Sequence, residues 1–191
     1  PCGLVLFAHG SGSSRFSSRN TMVAERLNKA RIATLLFDLL TEEEGEDRAK
    51  VFDIELLAER LTEATVWARN EPSLADLAIG YFGASTGAGA ALMAAADEAE
   101  NVAAVVSRGG RPDLAGKTAL NAVRAPTLLI VGSKDVQVLQ LNQQALTELR
   151  CEARLEIVPG ASHLFEEEGT LERAADLAAG WFLQHFDASG Q

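Results

Sequence analysis

Ser85 stands between two glycines in Gly83-Ala84-Ser85-Thr86-Gly87, after the apolar run Ala78-Ile79-Gly80-Tyr81-Phe82 and before an Ala-rich stretch. G-x-S-x-G at a strand-to-helix junction presents a serine on a sharp turn, because glycines without Cβ atoms let the strand and helix backbones approach closely. A helix that begins at the serine aims its free N–H groups and positive dipole end at charge developing there. That environment suits an acyl-transfer serine. Its hydroxyl still needs a base within hydrogen-bond reach at neutral pH. The chain offers three histidines, His9, His163 and His185. His163 closes Pro159-Gly160-Ala161-Ser162-His163, the exit of an apolar run, and is the expected base. His9 precedes a glycine turn and is read as packing support for its own loop, while His185 falls on the terminal helical stretch. Asp135 ends the apolar Thr127 to Val131 run through Gly132-Ser133-Lys134 and is the preferred carboxylate to fix the imidazole tautomer. Asp113 is the competing acid, and loop geometry must decide between them.

An oxyanion needs two N–H donors. Thr86, next after the serine, supplies one, and Gly10 or Ser11, after the first apolar run, the other. Arg15, Arg19, Arg108 and Arg111 fall on two loops near these groups. Arginine matches a carboxylate or phosphate in a planar fork, so they are candidate substrate-binding residues for a small acyl substrate carrying an anionic group. A phosphate-cradling loop is a weaker reading of the glycines, because neither G-x-x-x-x-G-K-[ST] nor a clean G-x-G-x-x-G follows the strand. Glu166, Glu167 and Glu168 read as a solvated acidic start to the last helix, where the dipole favours them.

The positioning elements alternate. Apolar runs suited to buried strands lie at Leu4 to Ala8, Ile32 to Phe37, Leu77 to Phe82, Val102 to Val106, Thr127 to Val131 and Arg154 to Val158. Helical spacing lies between them, over Asn20 to Ala30, one long amphipathic stretch Arg48 to Asn70, Ser85 to Ala96, Val138 to Arg150 and Thr170 to Phe186. Asp38 to Asp47 reads as an exposed acidic loop. The alternation predicts an α/β fold with a doubly wound, mainly parallel sheet of about six strands and helices on both faces. Strand exits of such a sheet share one edge, where ligands bind, and every candidate above falls on an exit. The 191 residues read as one domain, and the formal charge of −10 argues against a nucleic-acid partner. The two cysteines form no spaced framework, no transmembrane-length run or signal peptide is visible, and a reducing, cytoplasmic setting is expected.

With these residues placed, the chain resembles the α/β-hydrolase superfamily, in its dienelactone-hydrolase-like branch. The resemblance runs from Val5-Leu6-Phe7-Ala8-His9-Gly10-Ser11-Gly12 to Ala161-Ser162-His163. It is most telling at Gly80-Tyr81-Phe82-Gly83-Ala84-Ser85-Thr86-Gly87, Ser107-Arg108-Gly109-Gly110-Arg111-Pro112-Asp113 and Ala125-Pro126-Thr127-Leu128-Leu129-Ile130-Val131-Gly132. It implies Ser85 as nucleophile, Asp135 as acid, His163 as base, backbone oxyanion donors around Gly10, Ser11 and Thr86, and no metal or organic cofactor. Dienelactone hydrolases proper carry cysteine where this chain has Ser85, which argues against dienelactone itself as substrate. The family sheet usually has two further N-terminal strands, absent here, so a shortened or truncated domain with an exposed sheet edge is expected. Relatives of this type also occur beside phosphoribosyltransferase domains. The short connection between strands four and five predicts a minimal lid and an open site. The expected activity is hydrolysis of a small ester, lactone or thioester. Acyl transfer or peptide cleavage by the same triad, and a non-catalytic binding domain of the same fold, are the alternatives. Oligomeric state is left open.

Overall fold

The computed structural model describes residues 1–188. Its six strands, β1 (Gly3–Ala8), β2 (Ile32–Leu36), β3 (Ala78–Ala84), β4 (Ala104–Arg108), β5 (Thr127–Gly132) and β6 (Ala153–Val158), form one sheet in the order β2-β1-β3-β4-β5-β6. Every neighbouring pair is parallel. The central strands β1, β4 and β5 are buried along their whole length. Their continuous apolar runs are what a sheet covered on both faces requires.

Strand alternation sends successive side chains to opposite faces, and the two faces carry separate cores. On one, Val5, Phe7, Phe82, Val106 and Ile130 meet α1 (Ser18–Lys29) and α8 (Thr170–Ala188). On the other, Leu4, Leu6, Tyr81, Val105 and Leu129 meet α4 (Ile54–Asn70) and α5 (Thr86–Asp97), with α6 (Gly116–Ala122) and α7 (Val136–Glu148) completing that layer. Tyr81 is fully buried and its hydroxyl shares a 2.7 Å hydrogen bond with Thr65 on α4. Burial there pushes its pKa up to about 12. Only a 3₁₀ turn at Pro112–Ala115 and α6 separate β4 from β5, so no large lid covers that side.

Two expectations fail between β2 and α4. The acidic segment expected as a loop contains α2 (Glu42–Gly45), begun by a reciprocal capping box in which Thr41 and Glu44 satisfy each other's backbone N–H. The long amphipathic stretch is also two helices, α3 (Arg48–Val51) and α4, each with its own aspartate cap. Asp47 accepts from Ala49 N–H and Asp53 from Leu56 N–H. A cap satisfies helix-start N–H groups at Asp53, which outweighs continuing the apolar periodicity through Phe52.

Candidate active site

Because all strands run the same way, their C-terminal ends share one edge. The candidate residues gather there. Ser85 follows β3 and precedes α5 with φ +52° and ψ −122°, a left-handed backbone for a non-glycine residue. Its neighbours make this turn possible. A Cβ at Gly83 would lie 2.5 Å from Ala88 Cα, and one at Gly87 would lie 2.1 Å from Ala8 O. Both glycines are therefore required by the approach of β3, α5 and β1. The Ser85 carbonyl accepts from Ala88 N–H at 3.1 Å and Arg111 N–H at 3.0 Å, which pins the turn to α5 and to the β4 exit.

The exits of β5 and β6 are drawn together by backbone contacts. Lys134 N–H donates to Ala161 O at 3.0 Å, Gly160 N–H to Ser133 Oγ at 2.8 Å, and a Cβ at Gly132 would strike Ala161 O at 2.2 Å. The result is a 2.6 Å contact between His163 Nδ1 and Asp135 Oδ2. Asp135 opens α7 but makes no cap hydrogen bond, so its carboxylate is left to the imidazole. Glu167 steadies the same loop, both its oxygens accepting from Ser162 N–H, and this hydrogen bonding lowers its pKa. Ser85 and His163 line one cavity of about 180 Å³. No hydrogen bond joins Ser85 Oγ to His163. The competing acid, Asp113, is engaged by Arg111 through two contacts of 2.9 and 2.8 Å.

The oxyanion candidates are distributed unevenly. Thr86 lies in the first turn of α5, so its N–H has no intrahelical acceptor. Gly10 N–H donates to no backbone carbonyl. Ser11 N–H, by contrast, donates to Thr86 Oγ1 at 2.9 Å, so of the two β1-exit candidates Gly10 has the free donor. His9 supports this loop. Its Nε2 accepts from Leu39 N–H at 3.1 Å, which makes Nδ1 the protonated nitrogen, donating to Gly10 O at 3.0 Å. His185 packs on α8 against Trp181.

The four arginines do not act alike. Arg15 pairs with Asp38 and Arg111 with Asp113, so both guanidinium groups are committed to carboxylates of the chain. Arg111 also lies outside the cavity that holds Ser85, whereas Arg19 and Arg108 line it. A second cavity of about 580 Å³ meets the first along the Gly10–Ser13 loop and is walled by Leu40, Thr41, Val51 and Leu57. Sequence reading missed this wall. The T-x-x-E capping pattern at Thr41 and Glu44 was the available signal that the segment is folded.

A parallel sheet with a strained serine between strand and helix, and a histidine–carboxylate pair at the same edge, defines a class. The family model described as an alpha/beta hydrolase domain matches residues 1–179, and the chain belongs to that family. Within it the chain is dienelactone-hydrolase-like. It is 58% identical to a dienelactone hydrolase from Anabaena variabilis, with a TM-score of 0.92, covering 96% of this chain and 86% of that one. A Mycobacterium tuberculosis protein named "Putative phosphoribosyl transferase" is 62% identical over 190 residues, 100% of this chain. The chain spans 43% of that relative's length. Est1E from Butyrivibrio proteoclasticus shares the fold, with a TM-score of 0.82 at 15% identity over 97% of this chain and 89% of that one. Among the described residues no helix is long and apolar enough to cross a membrane.

Proposed function

We propose that this chain is a serine hydrolase that cleaves a small ester, lactone or thioester through an acyl-enzyme on Ser85. The observation that carries the reading is the 2.6 Å His163–Asp135 contact, made by a histidine that lines the same cavity as the strained serine. Asp135 accepts a hydrogen bond from His163 Nδ1–H, which leaves Nε2 of His163 as the basic nitrogen. Nε2 removes the Ser85 proton as Oγ attacks the carbonyl carbon, a contact that is often long before substrate binds. The N–H groups of Thr86 and Gly10 hold the tetrahedral oxyanion. Collapse breaks the bond to the alkoxide or thiolate leaving group, which takes the proton back from Nε2. Water then attacks the acyl-enzyme with His163 again as base, the acyl bond to Ser85 Oγ breaks as Nε2 returns the proton to that oxygen, and the carboxylic acid leaves.

The cavity of about 580 Å³ beside the Gly10 loop gives room for the rest of a small substrate. The setting proposed is reducing and cytoplasmic, where the thiols of Cys2 and Cys151 stay free. The phosphoribosyl transferase name belongs to relatives of which this chain spans 43%, and the hydrolase reading is made for the shared stretch. The test is turnover of a panel of 4-nitrophenyl esters and thioesters, with hydroxylamine as a competing acyl acceptor. Ser85→Ala is expected to lose at least ~10³-fold in kcat, and full activity in that variant would overturn the proposal. A product dominated by the hydroxamate at low hydroxylamine would instead favour acyl transfer over hydrolysis.

A further inference from the structure

The small cavity beside Ser85 contains a charge imbalance that the hydrolytic steps do not use. Arg108 ends β4 with its side chain inside the protein, only 5% of the residue exposed. Its Nε is buried without a hydrogen-bond partner. The guanidinium lies 5.5 Å from the Phe165 ring and makes no ion pair with any described residue. Arg19, on α1, lines the same cavity and is likewise without a carboxylate partner among the described residues. No Asp or Glu lines this cavity.

A shortage of acids is not the reason. The chain has 27 Asp and Glu against 17 Lys and Arg, and nearby Arg15, Arg60 and Arg111 each have a carboxylate. A buried, unpaired guanidinium is costly. Burial, with Arg19 repelling from nearby, lowers the Arg108 pKa to about 10, still well above neutrality, so the charge persists.

We infer that Arg108 and Arg19 form an anion subsite that holds a carboxylate or phosphate group of the substrate beside Ser85. A volume of about 180 Å³ suits such a group and not a whole substrate. The subsite is tied to the nucleophile through the backbone, since Ser85 N–H points to Arg108 O at 3.4 Å. A bound anion therefore sits at a fixed offset from the serine. The remainder of the substrate passes the Gly10–Ser13 loop into the larger cavity. Glu42 and Glu46 line that cavity, where Asp38 and Arg15 neutralise each other, and they disfavour the anionic end there, so the charges set the orientation. Planar guanidinium groups bind either oxyanion in a fork, so both sources fit the same chemistry.

The inference deepens the reading of Ser85 as nucleophile and rests on it for the word substrate, but anion binding is measurable separately. Inorganic phosphate and, in parallel, benzoate would be titrated calorimetrically into the parent protein, Arg108→Met and Arg19→Gln. The same proteins would be assayed with neutral 4-nitrophenyl acetate and anionic mono-4-nitrophenyl succinate. At least one probe is expected to bind the parent, with phosphate or benzoate preferred according to which anion the subsite serves. The ratio of kcat/KM for anionic over neutral ester is expected to fall about 30-fold in Arg108→Met and about 10-fold in Arg19→Gln. Should the buried substitution fail to fold, Arg19→Gln on its own decides. Binding of neither probe, or a ratio unchanged within about twofold in each folded variant, would overturn the inference. Arginine-dependent binding of phosphate or benzoate in a protein that turns over no ester would keep the anion subsite and remove the nucleophile reading.

Discussion

Ser85 adopts φ +52°, a region that costs a non-glycine residue about 1–3 kcal/mol. The two hydrogen bonds its carbonyl accepts hold it there. Its neighbours have separate tasks in the proposed mechanism. Asp135→Asn keeps the shape of the carboxylate but removes its charge and replaces one acceptor oxygen with an amide donor, which favours the wrong His163 tautomer, and kcat should fall by about 10³–10⁴-fold with little change in KM. Steady-state kinetics at pH 7.5, roughly one unit above the ordinary histidine pKa, check this. In the proposed mechanism Thr86 has two tasks, its N–H at the oxyanion and its hydroxyl, which receives Ser11 N–H at 2.9 Å. The hydroxyl makes it a positioning residue that ties the β1 exit to the serine turn. Thr86→Val should lower kcat about 10-fold, a loss of the order of one good hydrogen bond, and leave KM nearly unchanged. Thr86→Ser should restore kcat, and equal losses in both variants would contradict the assignment.

At the scale of elements, the turn depends on close packing. A Cβ at Gly87 would lie 2.1 Å from Ala8 O, so Gly87→Ala must push α5 away from β1. We expect it to cost about 3 kcal/mol or more in urea unfolding. A loss below about 1 kcal/mol would show that the helix and strand can separate freely. Six strands and the five principal helices were legible because buried parallel strands are apolar runs and the intervening helices are amphipathic. The serine turn was legible because glycine is demanded on both sides of it. Helix α2 and the break between α3 and α4 were not, because they come from capping and ion pairing rather than apolar periodicity. Glu44 caps Thr41 and grips Arg60 through contacts of 3.0 and 2.9 Å. The commitment of Arg15 and Arg111 to Asp38 and Asp113 was equally hidden, since only the folded loops bring Arg15 to a carboxylate 23 residues away.

At the scale of the whole molecule, a formal charge of −10 means that stability at low pH turns on carboxylates held ionised by the fold. Glu44 is the clearest case. The hydrogen bond from Arg60, with further help from Thr41 N–H, lowers its pKa from 4.5 to about 2. A lowered carboxylate contributes stability that is complete above its unfolded value and is lost as pH falls through its folded value. The segment carrying α2 and α3 should therefore loosen between pH 4.5 and about 2, with the protection factors of the Thr41 and Glu44 amides, taken relative to their intrinsic exchange rates, falling in that window. Glu44→Gln should show the lowered protection already at neutral pH. Protection of these amides independent of pH would contradict the Arg60–Glu44 account.

The parallel sheet gathers Ser85, Asp135 and His163 from three separate exits, and in the proposed mechanism this convergence activates Ser85. Reaction with a fluorophosphonate probe, followed by mass spectrometry of the labelled peptide, tests this most directly. A single label on Ser85 is expected, absent in Ser85→Ala and strongly slowed in His163→Ala. A folded protein that takes no label, or one labelled equally without His163, would contradict it.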